Sequence, residues 1–312
     1  MTAADLLERV EAGGLLAPAG PVLAMLSGGR DSVCMLDLAV RARGAGEVSA
    51  LHVNYGLREG SDADERHCAE LCDRLGVELV VERPPRPHGS GNLQAWAREQ
   101  RYAEATRLAE ASGAVVATGH TADDQVETIL YRLASSPSRR ALLGMRPRDG
   151  RLVRPLLGTT REEVTTYCEE RGLEWREDPS NEEADFKRNL VRRELVPALA
   201  KIHPAAQQNV LRTAGLLREE AELLDSLVDA ELAGGDGAPA GSISHARFAA
   251  LHPALRRLVL QRLADEAAGR PLAGAARFAE QVAGLSRGGS TLDLGGGVRA
   301  VLEGGVLRAE RS

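Results

Sequence analysis

Six residues near the amino terminus, Ser27 to Ser32, combine two adjacent glycines with two serines, an arginine and an aspartate. The apolar run Pro21 to Leu26 before them predicts a buried strand, and a helical pattern begins at Val33. Adjacent glycines let backbone amides approach a ligand, and the dipole of a following helix favours an anion. Asp31 would repel a bare phosphate, so we expect it to hold a Mg²⁺ ion that bridges phosphates. The segment lacks a Walker A motif and the dinucleotide-binding glycine fingerprint, so it predicts another type of nucleotide site.

A second group of candidate residues is the set of carboxylates Asp123, Asp124 and Glu127. They stand at the start of a helical pattern that follows the apolar run Ala114 to Thr118. Asp124 and Glu127 are three residues apart and therefore share one face of that helix. Such carboxylates either favour the positive end of the helix dipole or bind a cation, and the sequence leaves both roles open. Because the carboxyl ends of parallel strands form the ligand crevice of α/β proteins, we expect both groups at one edge of the sheet.

Apolar runs and helical periodicity alternate over the first 130 residues, which predicts an α/β fold with a parallel sheet and helices on both faces. The predicted strands cover residues 21–26, 48–53, 78–82 and 114–118, and the predicted helices cover residues 33–42, 62–75, 93–111 and 123–134. A stretch rich in proline and glycine, Pro84 to Gly91, predicts a loop between two of these units.

From Leu156 onward the pattern predicts mainly helices. One of them begins with a capping-box sequence, Thr160 to Glu163, and the turn Asp178 to Asn181 follows it. Further helices are predicted at 186–195, 206–232, 253–268 and 275–285, and the glycine-rich end from Thr291 to Ala309 predicts a hairpin. We therefore expect an α/β domain over residues 1–205, which carries the candidate site, and a smaller, mainly helical domain over residues 206–312.

Composition and charge restrict the class of protein. Hydrophobic residues make up 43% of the chain and charged residues 27%, which is typical of a soluble globular protein. The sequence shows neither a membrane-spanning stretch nor a signal peptide, and its four cysteines without a disulfide framework favour the cytoplasm. The net charge of −6 argues against a general polyanion binder.

Two local stretches are nevertheless strongly basic. Residues 132–161 hold eight arginines against the single acid Asp149, and residues 186–218 hold seven basic residues against Glu194. Such stretches on an acidic protein are either solvated faces of helices and loops or the contact surface for a specific polyanion. Charge alone leaves both interpretations open.

The segment Ser27 to Ser32, which reads SGGRDS, resembles the PP-loop of the N-type ATP pyrophosphatases, enzymes that cleave ATP between its α- and β-phosphates. Over about residues 20 to 215 the chain also resembles the tRNA(Ile)-lysidine synthetase family in the order and spacing of several short segments. Residues 291–299 resemble the carboxyl-terminal end of the short form of that family. The matching segments are 52–58, 97–102, 118–128, 154–157, 175–181, 188–192 and 195–197.

This resemblance implies a PP-loop domain of the adenine nucleotide α-hydrolase-like type and a defined reaction. Members of the family convert the wobble cytidine of a tRNA(Ile) with a CAU anticodon into lysidine. ATP, with Mg²⁺, first adenylates the oxygen on carbon 2 of the cytosine and releases pyrophosphate, and an amine of free L-lysine then displaces AMP. The resemblance leaves the base for the second step and the oligomeric state open, a homodimer included.

The resemblance also implies roles for the residues that match its motifs. Asp124 and Glu127 would receive the amino groups of lysine, and Arg101 would stabilise charge at the α-phosphate or at the cytosine oxygen. His120 is either a substrate or phosphate ligand or a structural histidine. The residues expected to bind ATP are Ser27, Gly28, Gly29, Arg30, Asp31 and Ser32, together with His52 and Asn54 at the end of the second strand. Those expected beside the anticodon stem-loop are Arg188, Asn189, Arg192 and the basic stretch 132–161, and the domain over residues 206–312 is expected to bind the tRNA as well.

The chain departs from the family's usual pattern at three places. Ala134 to Arg140 reads ASSPSRR where relatives have a glycine-rich turn, and Tyr55 and Thr121 stand where histidine is frequent. Three other functions remain open: a tRNA thiolase, which would need a close cysteine pair such as Cys68 and Cys72, an amidating ligase for a small molecule, and an inactive ATP- or RNA-binding module.

Overall fold

The computed structural model describes residues 2–17, 20–57, 60–85, 93–136, 139–176, 186–234, 237–286 and 289–312. The chain forms two compact units, Met1–Gly215 and Leu216–Ser312. The remainder of the loop predicted after Pro85 and the turn predicted at Asp178 to Asn181 lie outside the described residues. Within the described part of the chain, no helix is both long and apolar enough to span a membrane.

The first unit is built on a six-stranded sheet whose order is β3-β2-β1-β4-β6-β5. Every neighbouring pair is parallel except β5 and β6. The strands are β1 Val22–Met25, β2 Val48–Val53, β3 Glu78–Glu82, β4 Val115–Ala117, β5 Arg148–Asp149 and β6 Leu152–Val153. The predicted parallel sheet is confirmed, and the short β5–β6 pair adds two strands that the sequence pattern does not indicate.

Helices cover both faces of this sheet, as predicted. Val22 and Ala24 of β1 pack in a core with the second helix, whereas Leu23 and Met25, which point the other way, pack with the fourth. The helices of the first unit are α1 Ala3–Ala12, α2 Arg30–Arg43, α3 Ser61–Leu75, α4 Leu93–Ser112, α5 Ala122–Ser135, α6 Arg139–Leu142, α7 Arg161–Glu170, α8 Phe186–Leu190 and α9 Val196–Ile202.

Capping boxes fix the first turns of α5 and α7. Thr121 accepts a hydrogen bond from the amide of Asp124, and the Asp124 carboxylate accepts one from the amide of Thr121. Thr160 and Glu163 do the same at α7, which confirms the predicted capping box. The predicted basic helix 186–195 is observed as α8 followed by a π-helical turn, Val191–Leu195, that continues into α9.

The second unit combines helices with an antiparallel sheet of order β7-β10-β9-β8. The predicted carboxyl-terminal hairpin is therefore a larger sheet, in which three consecutive strands join the short β7. Helix α10, Ala206–Leu232, contains the division between the units, whereas the boundary at residue 205 lies just before this helix. The other elements are β7 Ile243–Ser244, α11 His245–Ala250, α12 Pro253–Ala268, the 3₁₀ turn Ala275–Phe278, α13 Ala279–Ala283, β8 Ser290–Gly295, β9 Val298–Glu303 and β10 Val306–Arg311.

Candidate functional site

The glycine-rich loop, Ser27 to Ser32, joins β1 to α2 and is held closed by its own serines. The Ser32 hydroxyl donates to the carbonyl of Gly29 at 2.8 Å and accepts from the amide of Ser27 at 3.1 Å. Gly28 has φ of +83°, a conformation that favours glycine. Helix α2 begins at this loop without a side-chain cap, so amides of its first turn remain available to an anion.

Asp31, in the first turn of α2, is the residue that fits a magnesium ion. Its Oδ1 accepts from Nε of Arg30 at 3.1 Å, and Arg30 is anchored by a hydrogen bond to Thr165 at 2.9 Å. Burial raises the pKa of Asp31 despite Arg30, and the charge of Asp124 adds to this effect. A further positive charge would therefore stabilise the carboxylate. One carboxylate combined with phosphate oxygens and water is a usual ligand set for Mg²⁺.

The loop that follows β4 lies directly against the glycine-rich loop. A Cβ atom on Gly119 would lie 2.5 Å from the carbonyl oxygen of Asp31 and 3.1 Å from the amide nitrogen of Ser32. Only a glycine allows the two backbones to approach this closely. The two groups of candidate residues predicted from the sequence are thus brought to one edge of the sheet.

Arg161 occupies the position between Asp124 and Glu127. Its NH2 group lies 2.6 Å from Oδ1 of Asp124, and its NH1 group lies 2.8 Å from Oε1 of Glu127. The amide of Arg161 also donates to Asp123 at 2.8 Å. The carboxylates predicted to receive a cation therefore hold one, which is the first side chain of α7. In the sequence, Arg161 stands out only as one of the basic residues of 132–161.

Charges in this group are mutually stabilised. Burial disfavours the ionised form of Asp124, but Arg161 and the hydrogen bonds from Thr121 outweigh it and lower the pKa of Asp124. Burial dominates at Glu127 and raises its pKa, although Arg161 opposes the change. Burial alone would lower the pKa of Arg161, yet the two carboxylates raise it above its ordinary value. Arg161 therefore stays charged.

A cavity of about 200 Å³ opens beside this ion-pair group. Its volume lies below the roughly 300–1,000 Å³ typical of sites for drug-sized ligands, so it suits a smaller molecule. The walls carry two carboxylates, two guanidinium groups and two valines, and the lining residues are Asp123, Val126, Glu127, Arg161, Arg192, Val196 and Gln207. This set of groups can bind a small molecule that has charges of both signs and an apolar portion.

His52 and Asn54 lie at the end of β2 and are both buried. Nδ1 of His52 donates to the carbonyl of Leu26 at 2.9 Å, which ties β2 to the start of the glycine-rich loop. Burial lowers the pKa of His52 and keeps its ring neutral. The Asn54 amide donates to Asp62 and Glu65 of α3 at 3.1 and 2.8 Å. The His52 side chain thus supports the backbone beside the loop, whereas the Asn54 side chain ties the end of β2 to α3.

His120 directly follows Gly119 in the chain and lies near Arg101. Nδ1 of His120 is hydrogen-bonded to Thr118 at 2.8 Å. Burial, together with Arg154, Arg98 and Arg101, lowers the pKa of His120 to about 4, although Asp124 opposes the change. The ring is therefore neutral at physiological pH. Nε of Arg101 is buried and, among the described residues, has no hydrogen-bond partner, so it is available to a ligand.

The basic stripe on α8 and the π-helical turn faces α5. Arg188 donates to Thr128 at 3.5 Å, and Nε of Arg192 lies 3.8 Å from Oε1 of Glu127. Asn189 is half-buried between them. Two of the three predicted anticodon-binding residues therefore also contact the helix that carries the candidate carboxylates.

The cysteines lack the properties of a catalytic pair. All four are buried and reduced. Burial raises the pKa of Cys68 to about 12 and that of Cys72 to about 11. Both thiols therefore stay protonated, whereas cysteine chemistry requires thiolates.

Known proteins are similar to this chain in sequence and in fold. A family model described as a PP-loop domain matches residues 6–199. The tRNA(Ile)-lysidine synthase of Symbiobacterium thermophilum is 37% identical to this chain, over 96% of the chain and 67% of that protein. For a tRNA(Ile)-lysidine synthase of Thermus thermophilus the identity is again 37%, over 94% of this chain and 57% of that protein.

The chain spans about half to two thirds of the length of the curated relatives that it matches. Among solved structures, a U34-tRNA thiolase from Methanococcus maripaludis is similar with a TM-score of 0.59 at 19% identity. That match covers 69% of this chain and 78% of the thiolase chain, and it indicates a shared fold.

Proposed function

The chain belongs to the PP-loop family and, within it, to the tRNA(Ile)-lysidine synthases, and from this premise we propose that it attaches lysine to the wobble cytidine of a tRNA(Ile) with a CAU anticodon. The reaction uses ATP, free L-lysine and the tRNA, and its products are the lysidine-containing tRNA, AMP and pyrophosphate. A role in tRNA modification would place the protein in the cytoplasm.

The observation that carries this proposal is the contact between the two halves of the site. Gly119 brings the loop before α5 against the backbone of Asp31, so the glycine-rich loop and the carboxylates that hold Arg161 lie at one sheet edge. A reaction that adenylates one substrate and then adds an amine needs both kinds of site next to each other. The geometry therefore supports a two-step reaction better than simple nucleotide binding.

In the first step, the oxygen on carbon 2 of the cytosine attacks the α-phosphorus of ATP. The bond between that phosphorus and the oxygen bridging to the β-phosphate breaks, and pyrophosphate leaves. The amides of the glycine-rich loop would bind the phosphates, and Arg101 would stabilise the charge that develops on the transferred group. Mg²⁺, bound beside Asp31, would supply positive charge for the phosphates.

In the second step, the nitrogen of a lysine amine bonds to carbon 2, and AMP leaves with the former carbonyl oxygen. The amine must lose a proton first, since its ordinary pKa of about 10.4 keeps it charged at neutral pH. We propose that Asp124 and Glu127 bind the ammonium group, a role supported by the cation they already hold in Arg161. In the adjoining cavity, Arg192 would attract the α-carboxylate of lysine, and Val126 and Val196 would contact its methylene groups.

Incorporation of labelled lysine tests the proposal. The purified protein is incubated with ATP, Mg²⁺, labelled lysine and an unmodified tRNA(Ile) transcript with a CAU anticodon, and a methionine tRNA serves as the control RNA. We expect ATP-dependent labelling of the isoleucine transcript alone. The Asp31→Ala variant should lose this labelling but keep tRNA binding, whereas Asp73→Ala, an exposed aspartate on α3, should behave as the wild type.

Other outcomes distinguish the alternative functions. Pyrophosphate release that depends on the tRNA, without lysine incorporation, would retain adenylation but reject lysine in favour of sulfur or ammonia as the nucleophile. Absence of both signals from a folded protein would reject the enzyme and leave an ATP-binding fold.

A further inference from the structure

Three arginines from different parts of the chain lie close to one another, and two of them, Arg98 and Arg154, lie near His120. Arg154 directly follows β6, which pairs with β4. Thr118 and His120 come just after β4, and the amide of Thr118 donates to the carbonyl of Val153 at 3.0 Å. Arg98 on α4 lies 4.7 Å from the ring of Tyr102, and Arg101 lies 5.8 Å from the same ring. Arg132 projects from α5. We call Arg98, Arg132 and Arg154 the arginine cluster.

The segment 144–146 fixes two members of this cluster with neutral oxygen atoms. Arg132 donates to the carbonyl of Gly144 at 2.9 Å, and Arg154 donates to the carbonyl of Arg146 at 2.6 Å. Between them, the Gln125 side chain exchanges two hydrogen bonds with the backbone of Met145, at 2.9 and 2.6 Å. Three consecutive residues thus hold side chains from α5 and from the end of β6. The guanidinium groups are oriented here, but their charge is not neutralised.

Among the residues that the structure describes, the positive charge of the cluster lacks a direct counter-charge. Within the described part of the chain, none of the three arginines forms an ion pair with a carboxylate. Burial, together with the other two members, lowers the pKa of Arg154, although Tyr102 and Asp149 oppose the change. Burial, Arg188 and Arg98 lower the pKa of Arg132. Arg154 is 7% exposed, and its Nε is buried without a hydrogen-bond partner among the described residues.

A buried hydrogen-bond donor that has no acceptor and lies among like charges destabilises the fold unless a ligand supplies the acceptor. The ligand must be an anion with several acceptor oxygens, and a phosphate group matches the fork of donors on arginine. Two of the proposed substrates carry phosphate groups, namely ATP and the RNA. In the proposed function the amides of the glycine-rich loop bind the phosphates of ATP, and this loop contacts Gly119. In the arginine cluster, Arg98 and Arg154 instead lie near His120 and Tyr102, and Arg98 is exposed.

We propose that the arginine cluster binds a backbone phosphate of the RNA substrate next to the nucleotide that reacts. The inference rests on the proposed function, since it takes RNA as the substrate. A base that leaves its stack must be held by its flanking backbone, and phosphate contacts fix position without reading sequence. The structure thereby divides the basic stretch 132–161. Arg132 and Arg154 join Arg98 at the RNA, whereas Arg161 binds carboxylates and Arg151 binds the carbonyls of residues 113 and 114.

The salt dependence of RNA binding tests this assignment. The dissociation constant for the unmodified tRNA(Ile) transcript is measured at several KCl concentrations for the wild type, Arg98→Gln, Arg132→Gln and the double variant. Each phosphate contact contributes about 0.7–0.9 to the slope of log affinity against log salt. We expect each single variant to bind about 3- to 10-fold more weakly at low salt and the double variant to lose more than either. Arg74→Gln, an exposed arginine on α3, is the matched control and should keep the wild-type slope.

Measurements of ATP affinity and of tRNA modification distinguish RNA binding by the cluster from ATP binding and from failure of the proposed function. ATP affinity in the absence of tRNA should be unchanged in the variants, and a loss of ATP affinity with normal RNA binding would assign the cluster to ATP instead. Unchanged slopes in folded variants of a wild type that still modifies tRNA would overturn the inference but not the proposed function. A folded wild type that binds no tRNA would overturn both. Thermal unfolding midpoints show whether each variant is folded. Because Arg98 is exposed, Arg98→Gln is the variant expected to affect folding least.

Discussion

At the scale of single residues, Arg161 stabilises the fold but occupies part of the proposed lysine site. It neutralises Asp124 and Glu127, and it fills the position that we propose for the ammonium group of lysine. We expect Arg161→Gln to lower the free energy of unfolding by about 3 kcal/mol, because loss of one partner leaves buried charge without compensation. Urea denaturation measures this change. Millimolar lysine should raise the unfolding midpoint of the variant more than that of the wild type, since the vacated carboxylates then bind the added cation.

Two comparisons separate this explanation from a general loss of packing. In the Arg161→Gln background, Glu127→Gln should recover part of the stability, because it removes one of the uncompensated charges. Arg151→Gln, which loses only hydrogen bonds to carbonyls at an exposed position, should cost less than about 1 kcal/mol. An Arg161→Gln protein as stable as the wild type would show that the ion pairs contribute nothing to folding.

His120 gives the fold a defined sensitivity to acid. The unfolded chain protonates this histidine near pH 6.5, whereas the folded chain does so only near pH 4. The unfolded state therefore binds more protons between these values, and stability falls as the pH decreases through this window. From pH 7 to pH 5 the histidine should account for a loss of about 2 kcal/mol. His120→Asn should lose correspondingly less over this range in urea denaturation, and a pH dependence equal to that of the wild type would contradict the assignment.

At the scale of elements, the contact at Gly119 couples the two loops of the site. In Gly119→Ala, the added Cβ would meet backbone atoms of Asp31 and Ser32, which cannot move aside as a flexible side chain would. We expect about 1–3 kcal/mol of destabilisation and a loss of about 100-fold in lysine incorporation, because the glycine-rich loop is displaced. Gly158→Ala is the control, since its Cβ would point into open space. Normal turnover in Gly119→Ala would separate the contact from catalysis.

Elements that carry a continuous local signal could be predicted from the sequence. The bounds of β2 and β3 agree with the apolar runs 48–53 and 78–82, because each run is as long as the strand that it forms. Strand β6 has only two residues and no periodicity of its own, so its place beside β4 depends on tertiary pairing. The same limit applies to Arg161. A count of charges cannot reveal that this arginine meets carboxylates 34 and 37 residues earlier in the chain.

At the scale of the whole molecule, each compact unit has its own hydrophobic core. The core of the second unit includes the fully buried Phe248 and Leu260. In the first unit, a small cluster joins Val126 and Val191 to Val210 and Leu211 of α10. The first ten residues of α10 therefore complete the first unit. The sequence pattern predicts a boundary near residue 205, to within about ten residues, because helical periodicity cannot reveal which core each turn of a long helix serves.

Truncation tests this division of α10. A fragment of residues 1–215 should fold and should exceed a fragment of residues 1–205 in unfolding free energy by about 2 kcal/mol, since it keeps the partly buried side chains of Val210 and Leu211. Urea denaturation of both fragments measures the difference. In the longer fragment, Val210→Ala with Leu211→Ala should remove most of the advantage, which separates packing from helix length. Equal stability of the two fragments would place the boundary at residue 205 instead.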